Sequence, residues 1–165
     1  MNAADCPTLP IADALASIER MPAVLDAALA DRPVEVLRAR TEAGGSFSLV
    51  EHACHLRDLE REGYALRLRR MLAEETPELE GFPGDVIARQ RDYPNQDARS
   101  AARDFARARR ELVAGFAALD AAQLERTGRF AGRTITVKDL ACMIVQHDSE
   151  HREEIARLVA SLPAP

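Results

Sequence analysis

Two histidines four residues apart could bind a metal ion together. His147 and His151 stand within residues 145–155, near the end of a long segment with helical apolar periodicity. On a helix this spacing puts both side chains on one face, an arrangement in which two imidazoles can hold one ion. The chain has only two other histidines, His52 and His55. We favour His55 as the third ligand because it lies deeper in its helix, whereas His52 falls in the first turn and could be solvated.

The histidine pattern alone leaves a structural alternative open. Buried polar groups need partners, and the inside of a helical bundle is where side chains from facing helices build metal sites. The same spacing also fits histidines that only stabilise a core. Asp58, Asp148 and Glu150 could orient the imidazoles, although ordinary surface carboxylates would have the same spacing. We interpret Cys54 and Cys142, which lie off the histidine stripe, as small buried hydrophobic residues.

The composition is that of a soluble helical domain. The chain has 165 residues, which predicts one domain over residues 1–165. Ala, Leu, Arg and Glu dominate and favour helices. The net charge of −5 provides no basic surface for nucleic acid. Three widely spaced cysteines, including Cys6, indicate free thiols. No apolar run is long enough for a membrane span and no signal peptide is recognisable, so we expect a cytoplasmic protein.

The elements that must position the histidines read as four amphipathic helices. The first begins at Pro10 and is interrupted near Pro22. The Gly44–Gly45 pair reads as a simple breaker. The second helix starts at Ser48, where Glu51 completes a capping-box pattern, and should run to about residue 73. Its arginines and glutamates suggest a solvated outer face formed by Arg57, Glu60, Arg61 and Arg67, opposite a stripe that includes Leu59 and Leu66.

The second half of the chain supplies the other two helices. Residues 74–96 form a long connection, either a plain crossover or a lid over a site. The third helix should run from residues 95–97 to about 124, followed by a loop at 126–133. Thr136 caps the fourth helix with Asp139 at its third position. The simplest packing of these segments is an all-α four-helix bundle with a long crossover between helices 2 and 3.

Three stretches resemble the DinB-like superfamily of four-helix-bundle metalloproteins. Residues 21–25 resemble its kinked first helix. Residues 47–60 resemble its "WS-x-x-E-x-x-x-HL-x-D-x-E" helix, with Phe47 where tryptophan is common. Residues 136–140, followed by the pair at 147 and 151, resemble its closing H-x-x-x-H helix. The similarity spans about residues 10–160.

The resemblance implies a metal site and a class of reaction. It places His55, His147 and His151 around a divalent ion, with zinc as the default and nickel, iron or manganese as alternatives. Three imidazoles leave a coordination position open for water or a thiol. The implied activity is a thiol-dependent S-transferase or isomerase, which uses a low-molecular-weight thiol such as mycothiol or bacillithiol on a small-molecule substrate.

Other functions remain open from the sequence. A metal-dependent hydrolase is the sibling possibility. The alternatives without catalysis are a metal-binding stress-response module and a helical interaction domain whose histidines are structural. The resemblance also implies a homodimer.

Overall fold

The chain folds as the expected four-helix bundle. The computed structural model describes residues 9–41 and 47–163, so Cys6 and the Gly44–Gly45 pair lie outside the described residues. The helices are α1 (Ile11–Ile18), α2 (Met21–Leu29), α3 (Val34–Arg38), α4 (Leu49–Asp58), α5 (Ala65–Ala73), α6 (Gly84–Gln90), α7 (Ala98–Ala117), α8 (Ala121–Leu124) and α9 (Val137–Ser161), with a π-helical segment at Leu59–Tyr64 and a 3-10 turn at Tyr93–Asn95.

The first bundle helix is broken, as its proline predicts. Helix α1 ends at Ile18, and α2 begins at Met21 with Pro22 in its first turn, where a missing N–H costs nothing. Both pieces pack against α7 and α9. The interruption therefore lets one bundle position be filled by two short helices.

The second bundle helix contains a π-helical segment that the sequence did not predict. Helix α4 starts at Ser48 with the expected capping box, in which Glu51 accepts from the Ser48 N–H at 2.9 Å. The π segment then links α4 to α5. Its wider turn adds one residue, which rotates the following side chains by about 100° relative to an uninterrupted α-helix. As a result Leu66, expected on the inner stripe, is 39 % exposed.

The structure also contradicts the expected solvated face of this helix. Glu60 and Arg67 are buried, Arg57 is half-buried, and only Arg61 of the four is exposed. Arg67 donates two hydrogen bonds to the carbonyl oxygen of Glu80, at 2.8 and 3.1 Å. Side chains that looked like surface charges therefore belong to the interior.

The crossover takes part in a small sheet that the sequence analysis missed. Strand β1 (Glu78–Leu79) pairs in parallel with β2 (Thr127–Phe130), which pairs antiparallel with β3 (Arg133–Thr136). The expected loop at 126–133 is therefore wrong. Ala131 and Gly132 form the hairpin turn, with φ of 51° and 79°, because positive φ at both central residues matches the twist of the strands.

The third and fourth bundle helices differ in how well their ends were predicted. The third, α7, starts after an Asp97 cap, at the expected place, but stops at Ala117, and α8 follows a separate capping box at Asp120. The fourth, α9, has the predicted box, with Asp139 accepting from the Thr136 N–H at 2.8 Å. Within the described ranges, no helix combines the length and the apolar run that a bilayer crossing requires.

Two apolar clusters fill the bundle, with buried polar residues between them. One cluster joins α2, α4, the first half of α7 and the end of α9. The other joins α1, α5, the second half of α7 and the first half of α9. Arg109 of α7 and residues 147–151 of α9 lie between the two clusters along their helices. A buried polar layer there must satisfy its groups internally or with a ligand.

Candidate metal centre

Two capped helices bring the histidines together. Helix α4 carries His52 and His55 in its first two turns, and the middle of α9 carries His147 and His151. Because a capping box fixes where each helix begins, the position of each histidine along its helix is also fixed. All four side chains are buried.

The Nε2 atoms of three of these histidines converge. The distance from His147 Nε2 to His55 Nε2 is 3.4 Å, and to His151 Nε2 it is 3.0 Å. The three residues offer ligand atoms that all lie within 4.8 Å of one another. Their exposed fractions are 7 %, 6 % and 8 %. The three residues chosen from the sequence therefore lie together in a group that could hold a metal ion.

The chemistry of this donor set fits a divalent cation. A neutral imidazole has one N–H and one lone pair, so three ring nitrogens facing one another cannot all be satisfied by mutual hydrogen bonds. The Nδ1 atoms of His55 and His147 have no hydrogen-bond partner among the described residues. A cation would engage all three Nε2 lone pairs at once, and imidazole is a favoured ligand of zinc, copper, iron and nickel.

His52 is buried, contrary to the expected solvation. It is 0 % exposed, and its Nδ1 lies 3.0 Å from Nδ1 of His151. Glu154 reaches the same atom of His151, with its Oε2 at 3.3 Å. His52, His151 and Glu154 thus form a second group with ligand atoms close together. The sequence signal for Glu154 was its i+3 spacing from His151, which puts both on one helical face.

The three carboxylates expected to orient the imidazoles bond elsewhere. Asp58 accepts from Arg57, Arg91 and Tyr93. Asp148 accepts from Arg109, and Glu150 from the side-chain amide of Gln146. In the described part of the chain, none of the three forms a hydrogen bond with a histidine. The carboxylate that contacts an imidazole is instead Glu154, through His151 Nδ1.

A buried ion-pair cluster lies beside the histidines. The Arg109 guanidinium donates to both oxygens of Glu60, at 2.6 and 2.9 Å, and also to Asp148 and the carbonyl of Ile18. Burial raises the pKa of both carboxyls, while the Arg109 charge acts in the opposite direction. Asp148 directly follows His147, so this cluster fixes α9 against α7 at the level of the site.

Aromatic rings and the crossover enclose His55. The Phe47 ring centroid is 5.4 Å from that of His55, and the Phe82 centroid is 5.8 Å from it. Tyr64 stands edge-on to His147, with centroids 5.9 Å apart. Phe82 belongs to the crossover, which therefore covers one side of the site. Apolar walls keep bulk water away and strengthen interactions inside.

Gly84 in the crossover is needed for this close cover. A Cβ at this position would lie 2.7 Å from Cε1 and 2.9 Å from Nδ1 of His55. Gly84→Ala should therefore push the His55 ring away and weaken zinc binding by about 10-fold or more, since ligand orientation sets affinity. Gly81→Ala is the control, because its Cβ would meet nothing within 4 Å. Competition titration of zinc measures both, and equal affinities would contradict the predicted clash.

The buried histidines also predict how the metal-free protein responds to acid. Burial, and to a lesser extent the neighbouring His151, lowers the pKa of His52 to about 4 and that of His55 to about 3. In the unfolded chain both titrate near 6.5, so the unfolded state binds more protons below that pH. The free energy of unfolding should fall by roughly 1–2 kcal/mol per histidine between pH 7 and 5. Urea unfolding with chelator at both pH values measures it, and a pH-independent value would contradict it.

Cys54 and Cys142 are buried, as expected. Cys54 Sγ donates to Oε1 of Gln96 at 3.5 Å, and burial raises the pKa of its thiol to about 12. Cys142 is buried on α9. A thiol with so high a pKa is a poor nucleophile and a poor metal ligand.

A cavity lies beside Phe47. Its volume is about 460 Å³, which suits a small molecule. Its lining carries charges of both signs and includes Arg40, Glu51 and Arg89. Phe47 lines this cavity and also contacts His52 and His55. Phe47 therefore borders both the cavity and the histidines.

Comparison with known proteins adds a family and a fold. A sequence model of the DinB superfamily matches residues 17–155, which include all four histidines. The structure is similar to that of YfiT from Bacillus subtilis, described as a probable metal-dependent hydrolase with an unusual four-helix bundle topology. The TM-score is 0.81 at 21 % sequence identity, over 90 % of this chain and 85 % of that one. The chain matched none of the curated proteins with which it was compared.

Proposed function

The chain belongs to the DinB superfamily, and from that premise we propose that it is a metal-dependent enzyme whose divalent ion is held by His55, His147 and His151. The observation that carries this proposal is the convergence of three buried Nε2 atoms from two helices. A structural role for these histidines would not require all three ring nitrogens to face one another. Zinc is the ion we expect, with nickel, iron and manganese as alternatives.

We propose hydrolysis of a small-molecule substrate as the leading activity. A divalent ion at three imidazoles supplies a Lewis acid that lowers the pKa of a small nucleophile, water or thiol. YfiT, whose fold this chain shares, is described as a probable metal-dependent hydrolase. Thiol-dependent S-transfer is the second candidate, and the resemblance of residues 47–60 and 136–151 to the superfamily motifs supports it.

The residues of the chain then have distinct tasks. The three histidines would hold the ion, which would supply a Lewis acid. Phe47, Phe82 and Tyr64 restrict access of bulk water. The cavity beside Phe47 offers space for the remainder of a substrate.

A two-nucleophile screen tests the proposal. The protein is stripped with chelator, reloaded with zinc, nickel, iron or manganese, and assayed on ester, amide and phosphoester substrates without thiol. A parallel assay offers a small thiol and an electrophilic acceptor. We expect turnover in the first assay that disappears in the stripped protein and returns on reloading. Turnover only with thiol would favour S-transfer instead. Stable metal binding without turnover in either assay would favour a non-catalytic metal-binding module.

Two further expectations remain predictions. The superfamily resemblance implies a homodimer, which light scattering of the purified protein measures. The acidic net charge of −5 predicts no binding to nucleic acid.

A further inference from the structure

We infer that His52 and Glu154 are positioning residues that hold His151 with its proton on Nδ1, so that its Nε2 lone pair faces His55 and His147. The inference rests on the proposed metal site. It concerns this chain's own residues, because His52 and Glu154 lie outside the three-histidine group. It also explains a buried histidine that the metal site does not use.

The hydrogen-bond geometry fixes which atom donates. His151 Nδ1 lies 3.3 Å from a Glu154 carboxylate oxygen and 3.0 Å from His52 Nδ1. An ionised carboxylate can only accept, so the contact with Glu154 requires the proton on His151 Nδ1. His52 Nδ1 is then a second acceptor for the same proton. A neutral imidazole protonated on Nδ1 has its lone pair on Nε2, the atom that lies 3.0 Å from His147 Nε2.

His151 differs in this respect from the other two candidate ligands. The Nδ1 atoms of His55 and His147 have no hydrogen-bond partner in the described ranges. Of the three candidate ligands, His151 is therefore the one whose tautomer is set by neighbouring side chains. Partners of this kind set the ring orientation and basicity of a metal-binding histidine.

The buried position of His52 leaves one of its ring nitrogens without a partner, and we attribute its presence there to the contact with His151. With Nδ1 as acceptor, the proton of a neutral His52 sits on Nε2, which is buried without a partner among the described residues. An unsatisfied buried donor destabilises the folded state. Phe47 packs edge-on against the His52 ring, with centroids 5.7 Å apart, and holds it where Nδ1 meets His151. An apolar residue would fill this space without the cost but could not accept the proton.

The same groups could in principle hold a second ion. His52, His151 and Glu154 place their ligand atoms close together. His151 would then need lone pairs on both nitrogens, which a neutral imidazole does not have. The two uses of His151 therefore compete, and the tautomer role accounts for the distances without loss of a proton. Metal stoichiometry separates the two possibilities.

The experiment combines affinity with a direct reading of the tautomer. Zinc affinity is measured by competition titration for the parent, His52→Leu and Glu154→Gln, with zinc per chain measured for each. Long-range 1H–15N spectra report which nitrogen of His151 carries the proton, in metal-free and zinc-loaded protein. Glu153→Gln is the control, since this neighbouring carboxylate is exposed and pairs with Arg157 instead.

We expect both variants to keep one zinc per chain but to bind it about 10- to 100-fold more weakly. Glu154→Gln should fall at the lower end of this range because its amide oxygen can still accept, while Glu153→Gln matches the parent. His52→Gln, which restores an acceptor, should recover part of the loss. Parent spectra should show the proton of His151 on Nδ1 with and without zinc, and the variants should show a tautomer mixture without zinc. Circular dichroism verifies folding, and Glu154→Gln, at a half-buried position, keeps the test valid if His52→Leu does not fold.

Three results would overturn the inference. The first is unchanged zinc affinity in both variants. The second is a proton on Nε2 of His151 in the metal-free parent. The third is two zinc ions per parent chain that fall to one in His52→Leu, which would assign a second metal site. A parent that binds no metal but shows the Nδ1 tautomer, lost in the variants, would refute the proposed function and leave the positioning role intact.

Discussion

Replacement of His151 by alanine is expected to abolish stoichiometric metal binding. The variant loses one of three converging Nε2 atoms and also the ring that His52 and Glu154 contact. The effect should exceed the about 10- to 100-fold loss that removal of an outer hydrogen-bond partner causes. Mass spectrometry of metal in the purified variant, with zinc titration of the stripped protein, measures it.

Cys54→Ser is the matched comparison for His151→Ala. Cys54 lies on the same helix as His55, is fully buried and bonds to Gln96 rather than to the histidines. Its serine variant should keep the metal content of the parent. Retention of metal by His151→Ala, or its loss from Cys54→Ser, would refute the ligand assignment.

Replacement of Arg109 by methionine should cause the largest loss of stability. The change leaves Glu60 and Asp148 buried without their cation, and removal of one partner from a buried ion pair typically costs about 3–5 kcal/mol. Both carboxylates are buried at the level of the histidines. The free energy of unfolding in urea, measured on metal-free protein near neutral pH, should fall by that amount.

Arg107→Met provides the surface control for Arg109→Met. Arg107 is on the same helix, two residues away, and pairs with Asp104 where its side chain is 58 % exposed. Exposed pairs contribute about 0–1 kcal/mol. If the two variants lost similar stability, the buried cluster would not have the structural role described above.

The sequence predicted the parts of the fold that local chemistry determines. Ser48 and Thr136 begin helices through capping boxes, and both appear as expected. The apolar stripe of the last helix and the broken first helix follow from periodicity and from Pro22. These local signals were enough to predict that His55 lies close to His147 and His151 of α9.

The burial of charged side chains in the second bundle helix was not predicted, and neither was its π-helical segment, which has no local sequence signal. The π segment at Leu59–Tyr64 changes which side chains face inwards, and its composition does not distinguish it from an α-helix. In the sequence Glu60 and Arg67 resemble surface charges, so the buried ion pair of Glu60 with Arg109 could not be predicted. Arg109 itself interrupts the apolar stripe of α7, which was the one available hint.

Long-range packing explains the remaining errors. His52 is covered by Phe47, which directly precedes its helix, and by His151 of α9. The contact with α9 could not be read from the place of His52 near a helix start. The hairpin at 127–136 pairs with the crossover, and short strands of this kind give little periodic signal. Asp58 and Asp148 had the right spacing to orient imidazoles, but arginines from other elements bind them first.

The metal content of the untagged parent protein, measured by mass spectrometry beside His55→Ala, tests the central claim most directly. His55 is the ligand contributed by the second helix, so its loss separates a three-histidine site from the H-x-x-x-H pair alone. We expect near one equivalent of a divalent metal in the parent and almost none in the variant. A parent that is empty and does not bind added zinc, nickel, iron or manganese would contradict the proposed site.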